Sequence, residues 1–119
     1  MGAFDVYKKT TVETQSKGRL IVMLYDGAVK FLKMTIEDIE NEDYEGKSEH
    51  LGRVQAIITE LNSVLDMESG GEIAQNLRKL YNFMRQHLSQ AGIENNTQKM
   101  REVINLLEEL NQSWRAIAR

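Results

Sequence analysis

Residues 18–41 read GRLIVMLYDGAVKFLKMTIEDIEN, and the spacing of apolar positions in this stretch decides the fold. Wound as an α-helix at about 100° per residue, Leu20, Ile21, Val22, Met23, Leu24, Tyr25, Ala28, Val29, Phe31, Leu32, Met34, Ile36 and Ile39 spread over an arc of about 260°. Asp26, Lys30, Lys33 and Glu37 fill the narrow remainder. Their Asp26–Lys30 and Lys33–Glu37 pairs have the i,i+4 spacing at which opposite charges meet. A helix with one packing partner needs an apolar stripe only a little wider than about 100°. This one therefore either sits centrally among its neighbours or offers part of its surface to something outside the chain.

Three further helices follow, each with an ordinary stripe. The acidic run Asn41-Glu42-Asp43, extended by Glu37, Asp38, Glu40 and Glu45, reads as a solvated turn, because it lacks the glycine and alternating ligand spacing of a calcium loop. Leu51, Val54, Ile57, Ile58, Leu61, Val64 and Leu65 share about 140° of a second helix. Ser69-Gly70-Gly71-Glu72 then releases the chain and has the S-x-x-E spacing of a capping box. Ile73, Ala74, Leu77, Leu80, Tyr81, Met84, Leu88 and Ala91 share about 120° of a third helix, with Gly92 as its stop and Phe83 off the stripe as a candidate edge contact. Asn95-Asn96-Thr97-Gln98 supplies capping side chains for a fourth. There Met100, Val103, Ile104, Leu106, Leu107, Leu110, Trp114 and Ile117 cover about 160°, Trp114 mid-stripe as a core residue. Helices over about 17–42, 45–67, 71–91 and 96–118 with short connections predict an all-α, antiparallel up-down four-helix bundle. Residues 1–15, MGAFDVYKKTTVETQ, show no sustained period. They are expected to form a separate N-terminal segment, at most a short extra helix, either frayed or packed on the bundle with Phe4 and Tyr7 over the wide face of the first long helix.

At 119 residues the chain makes one domain with a single core. It has no cysteine and no proline, which excludes disulfides and thiolate metal sites and allows long helices. A net charge of −3 with a pI near 5.4 argues against a nucleic acid partner; Arg78, Lys79 and Arg85 do not share one helical face. The longest apolar run, residues 20–25, is six residues long, against the roughly 20 that span a bilayer. The polar stripe of the first helix is mixed in charge, unlike a membrane-surface helix. No signal-peptide pattern opens the chain, so a cytoplasmic location is expected. His50 and His87, the two histidines, are preceded at three residues by Lys47 and Met84, so the Glu-x-x-His pattern of bundle di-metal sites is missing. Both are expected to face solvent. No phosphate-binding or nucleophile motif occurs, and no catalytic, cofactor or metal residues are assigned.

Four segments resemble the FliS-type flagellar secretion chaperones. They are LIVMLYDGAVKFL at residues 20–32, Arg53-Val54-Gln55-Ala56-Ile57-Ile58 with Glu60-Leu61 and Leu65-Asp66, GGEIAQNLRKLYNFM at residues 70–84, and LLEELNQSW at residues 106–114. They stand in the family's order and spacing from about Val12 onward. Before the first long helix the chain reads Thr14-Gln15-Ser16-Lys17-Gly18, without the proline usual in the family. The resemblance implies a cytosolic, non-enzymatic export chaperone that binds the disordered C-terminal segment of flagellin. Such proteins prevent premature polymerisation and assist delivery to the type III flagellar export apparatus, and their N-terminal segment can occupy part of the binding surface. A client that folds on contact needs long apolar grooves. Val22, Tyr25, Val29 and Ile36 are the expected wall of such a groove on the first helix, with Ile57 and Val64 of the second helix as its other wall. Asp26 and Arg53 are the expected rim charges, and Phe4 and Tyr7 an N-terminal plug. The alternative is a homo-oligomeric helical-bundle module in which the wide face pairs with its own copy.

Overall fold

The computed structural model describes the backbone over residues 3–117 and the side chains over residues 17–117. Its elements are α1 (Ala3–Glu40), α2 (Tyr44–Ser63), α3 (Gly71–Glu94) and α4 (Thr97–Ile117). Each helix packs on the next, and α4 returns to pack on α1. Arg101 near the start of α4 reaches Glu40 at the end of α1 (3.2 Å), while Asn111 near the end of α4 bonds Asp26 of α1 (2.8 Å). Neighbours therefore run antiparallel, and the fold is the expected up-down-up-down bundle.

Element ends follow local chemistry. The α1 backbone is helical from Ala3, not from residues 16–18 as expected. Residues 3–17 contain no glycine or proline, so nothing in the backbone opposes the helix, although a lost apolar period removes the packing signal. The side chains of Phe4 and Tyr7 lie outside the described residues. Asp43 caps α2 by accepting from the Gly46 N–H at 2.9 Å.

The capping box expected at Ser69 does not form. The Ser69 hydroxyl and N–H both bond Asp66, and Gly70 stands at the N-cap of α3 with no side-chain bond. Asp66 thus gathers the α2–α3 turn, and α2 ends at Ser63 rather than Met67. Gly92 does not stop α3 either. A Cβ there would lie 2.6 Å from Leu51 Cδ2, so the missing side chain leaves room for the Leu51 methyl between α2 and α3. The stop is Asn95, left-handed at φ 52°, whose N–H bonds the Ala91 carbonyl. Asn96 then caps α4 by accepting from the Lys99 N–H at 3.1 Å.

Tyr25, Ala28 and Leu32 of α1 bury their side chains with Val54, Ile58, Leu61, Met84, Leu88, Val103 and Leu107. At the centre, the Tyr25 and Tyr81 hydroxyls meet at 2.6 Å across the bundle diagonal. Tyr25 is thus a core residue, a correction to its expected place in a groove wall. Its ring is long enough to cross the core, and its hydroxyl finds a buried partner there. Burial pushes the Tyr25 hydroxyl above its ordinary value against the lowering effect of its bonds to Tyr81 and Trp114. Burial, reinforced by Tyr25, raises Tyr81 further.

Candidate functional site

The wide face of α1 divides between two seams. On the α2 side, Gly27 has no side chain, and a Cβ there would lie 3.3 Å from Ile57 Cδ1. One turn along, Phe31 stacks on His50 with ring centroids 6.0 Å apart and carries the Arg53 guanidinium 5.5 Å from its centroid. His50 Nδ1 in turn lies 2.6 Å from Asp38 Oδ2. Backbone approach, aromatic stacking and a charge-assisted bond close this seam.

On the α4 side the seam stays open. Val22, Val29 and Ile36 recur at intervals of seven residues, a spacing that returns to nearly the same helical angle after about 10.5 Å of rise. Three clefts follow one another beside them. Arg19, Val22, Met23 and Arg115 line the first. Asp26, Val29, Glu108, Asn111, Gln112 and Arg115 line the second, of about 240 Å³. Lys33, Ile36, Arg101, Ile104 and Asn105 line the third. We call this series the furrow. Asp26 bridges it, accepting from Asn111 Nδ2 at 2.8 Å and from Arg115 at 2.5 Å. The expected Asp26–Lys30 and Lys33–Glu37 pairs do not close among the described residues; Asp26 turns across the seam, where a part-buried amide and an arginine both donate to it.

Beside the furrow, at the end of the bundle holding the α2–α3 turn, lies an apolar cleft of about 410 Å³. Ile21, Leu61, Val64, Leu65, Ile73 and Trp114 are among its lining residues. Trp114 is half-buried, its ring 6.4 Å from that of Tyr25, so it walls this cleft instead of filling the core. Val64 is 46% and Ile73 73% exposed, and Met23 beside the furrow is 68% exposed.

The structure thus places Val22, Asp26 and Val29 together on the furrow; Ile36 borders its third cleft but is buried in the bundle core, a correction to its expected place in a groove wall. Arg53 and Ile57 lie on the opposite, closed seam, and Val64 belongs to the end cleft. Among the described residues, Val22, Val29 and Ile36 do not share one groove with Ile57 and Val64: Ile57 packs against Gly27 on the closed seam, and Val64 lines the end cleft.

A family profile described as "Flagellar protein FliS" matches residues 1–119. The chain belongs to the FliS family of flagellar secretion chaperones. It is 38% identical over 115 residues to the flagellar secretion chaperone FliS of Campylobacter jejuni, covering 97% of this chain and 90% of that one. Against FliS of Bacillus subtilis the identity is 34% over 112 residues, covering 94% and 83%. Against FliS of Salmonella typhimurium it is 38% over 115 residues, covering 96% and 85%.

Several side-chain arrangements around these clefts differ from what the sequence predicts. Asn111 sits between Leu107 and Trp114 on the α4 stripe and is only 7% exposed. Its Nδ2 holds Asp26 while its Oδ1 has no partner. A polar residue at an apolar angle was the signal, legible only once Asp26 was known to face it. Both histidines are tied to carboxylates instead of facing solvent. His87 Nε2 lies 2.8 Å from Glu102 and its ring stacks on Phe83 at 5.0 Å. Phe83 is 48% exposed, and this stack is with a residue of its own helix. Among the described residues, no helix is long and apolar enough to cross a membrane.

Proposed function

We propose that this FliS-family chain is a cytosolic export chaperone for flagellin. It binds the disordered C-terminal segment of flagellin along the furrow and the adjoining end cleft, keeps it from polymerising, and holds it for the type III flagellar export apparatus. The observation that carries this reading is apolar surface left over beside a finished core. The bundle interior is closed, yet Val22, Met23 and Val29 flank the furrow, and Val64, Ile73 and Trp114 flank the end cleft. Trp114 of the end cleft and Arg115 of the furrow follow one another on α4, so both openings lie within reach of one extended client that folds as it docks.

Calorimetric titration with a flagellin C-terminal peptide of about 40 residues tests it. Coupled folding and apolar burial give a favourable enthalpy, an opposing entropy and a large negative heat-capacity change. No heat and no gain of helicity across temperatures would contradict the proposal. If the exposed face instead pairs copies of this chain, sedimentation would show a dimer that the tail peptide does not perturb.

A further inference from the structure

We infer that the furrow selects a helical segment by charge as well as by apolar spacing. Its partner carries apolar residues at i, i+7 and i+14, acidic residues beside the two outer ones and a basic residue beside the middle one. This inference rests on the flagellin-binding reading and names the chemistry of the segment that docks there.

Three observations combine. First, the half-buried Val22 and Val29 sit seven residues apart, and Ile36, a core residue that also borders the third cleft, continues the spacing, so a helix lying along α1 meets an apolar position every two turns, the repeat by which helices interlock side by side. Second, the side chains around those contacts alternate in charge. Arg19 and Arg115 flank the Val22 cleft, Glu108 flanks the Val29 cleft together with the Asp26–Arg115 pair, which neutralises itself, and Lys33 and Arg101 flank the Ile36 cleft. Third, the internal ion pairs leave part of this pattern unspent. Arg115 is taken by Asp26 and Arg101 by Glu40, whereas Lys33, Arg19 and Glu108 make no ion pair among the described residues. Cation at one end, anion in the middle and cation at the other remain for a partner. That order reads the same from either end, so the required pattern is the same for a segment docked in either direction. Electrostatic complementarity of this kind sets register and rejects other helices more than it adds affinity.

The probe is a synthetic helical peptide of about 22 residues with leucine at i, i+7 and i+14, glutamate flanking the first and third leucines, and lysine flanking the second. A second peptide has the same leucines and every flanking charge reversed. The first is expected to bind the full-length protein more tightly than the second by about tenfold at low salt, a gap that narrows as salt is raised. The double variant Lys33→Glu/Glu108→Lys is expected to narrow or invert the preference while circular dichroism and melting temperature hold, since both side chains are exposed. Equal binding of the two peptides, or a preference that the double variant leaves untouched, overturns the charge code. Failure of both peptides where the natural flagellin tail binds overturns the heptad geometry and leaves the proposed function standing. Failure of the tail itself strikes the proposed function instead.

Discussion

The two seams flanking α1 use its surface in opposite ways. Toward α2, glycine at position 27 admits Ile57, and Phe31 disappears under His50 and Arg53. Toward α4, aliphatic side chains of medium size are spaced a heptad apart, and a polar bridge from Asp26 to Asn111 and Arg115 spans them without filling the space. The closed seam contributes to stability because its contacts are complete. The open seam leaves Val22, Met23 and Val29 partly uncovered, and this is the surface proposed for the client.

Substitutions on the two sides should therefore separate stability from binding. Phe31→Ala is expected to have the largest effect on the fold, about 2–3 kcal/mol, less than for a fully buried ring. That would lower the melting temperature by roughly 10 °C while tail binding, measured well below the transition, changes by less than about twofold. Tyr25→Phe is expected to cost about 1–2 kcal/mol, because it leaves the buried Tyr81 hydroxyl without its partner. Tyr25→Phe/Tyr81→Phe should cost less than the single change, since the buried Tyr81 hydroxyl is removed together with its partner; chemical denaturation of both variants checks this. Val29→Asp should cost about 1 kcal/mol or less at a half-buried position, yet weaken the flagellin tail by at least about tenfold in titration. Smallest of all, Arg115→Ala should change stability by less than about 1 kcal/mol, because its ion pair with Asp26 is exposed to solvent.

The tyrosine pair also sets a pH limit. Both hydroxyls ionise less readily in the folded protein than in the unfolded chain. Their contribution to stability is complete below the unfolded value near pH 10 and is lost progressively as the pH rises beyond it. Absorbance titration of tyrosinate should show Tyr25 and Tyr81 ionising together with unfolding, whereas in the double phenylalanine variant that alkaline limit should move to higher pH.

Helix number, order and antiparallel packing were legible because three stripes had ordinary width and the connections were short. The site was only half legible. The helical wheel puts Val22, Val29 and Ile36 on one flank of the first helix; Val22 and Val29 lie half-buried along the furrow, whereas Ile36 turns into the core. The wheel could not say which neighbour would face that flank, and the second helix was assigned where α4 stands. The missing information was which side chains fill the α1–α2 seam, where Ile57 packs against Gly27 and Phe31 against His50. Tyr25 shares the angular range of the flank but turns inward, because a buried hydroxyl across the bundle outweighs a few tens of degrees of helical angle. Asn111 was hidden for a related reason: a polar residue on a core stripe is interpretable only when its partner is known. Gly92 read as a stop, although the same missing Cβ equally serves close packing.

The central claim is that the flagellin tail covers the α4 side of α1. Because the chain contains no cysteine, single cysteines report on this directly. Asn105→Cys places a thiol in the furrow, and Glu49→Cys places one on the exposed surface of α2. Thiol labelling of each variant, with and without a saturating flagellin C-terminal peptide, is the decisive measurement. The account predicts that the peptide slows labelling at position 105 by at least about tenfold, as expected for a site buried on docking, and leaves position 49 unchanged. Protection at position 49 with none at 105 would contradict it.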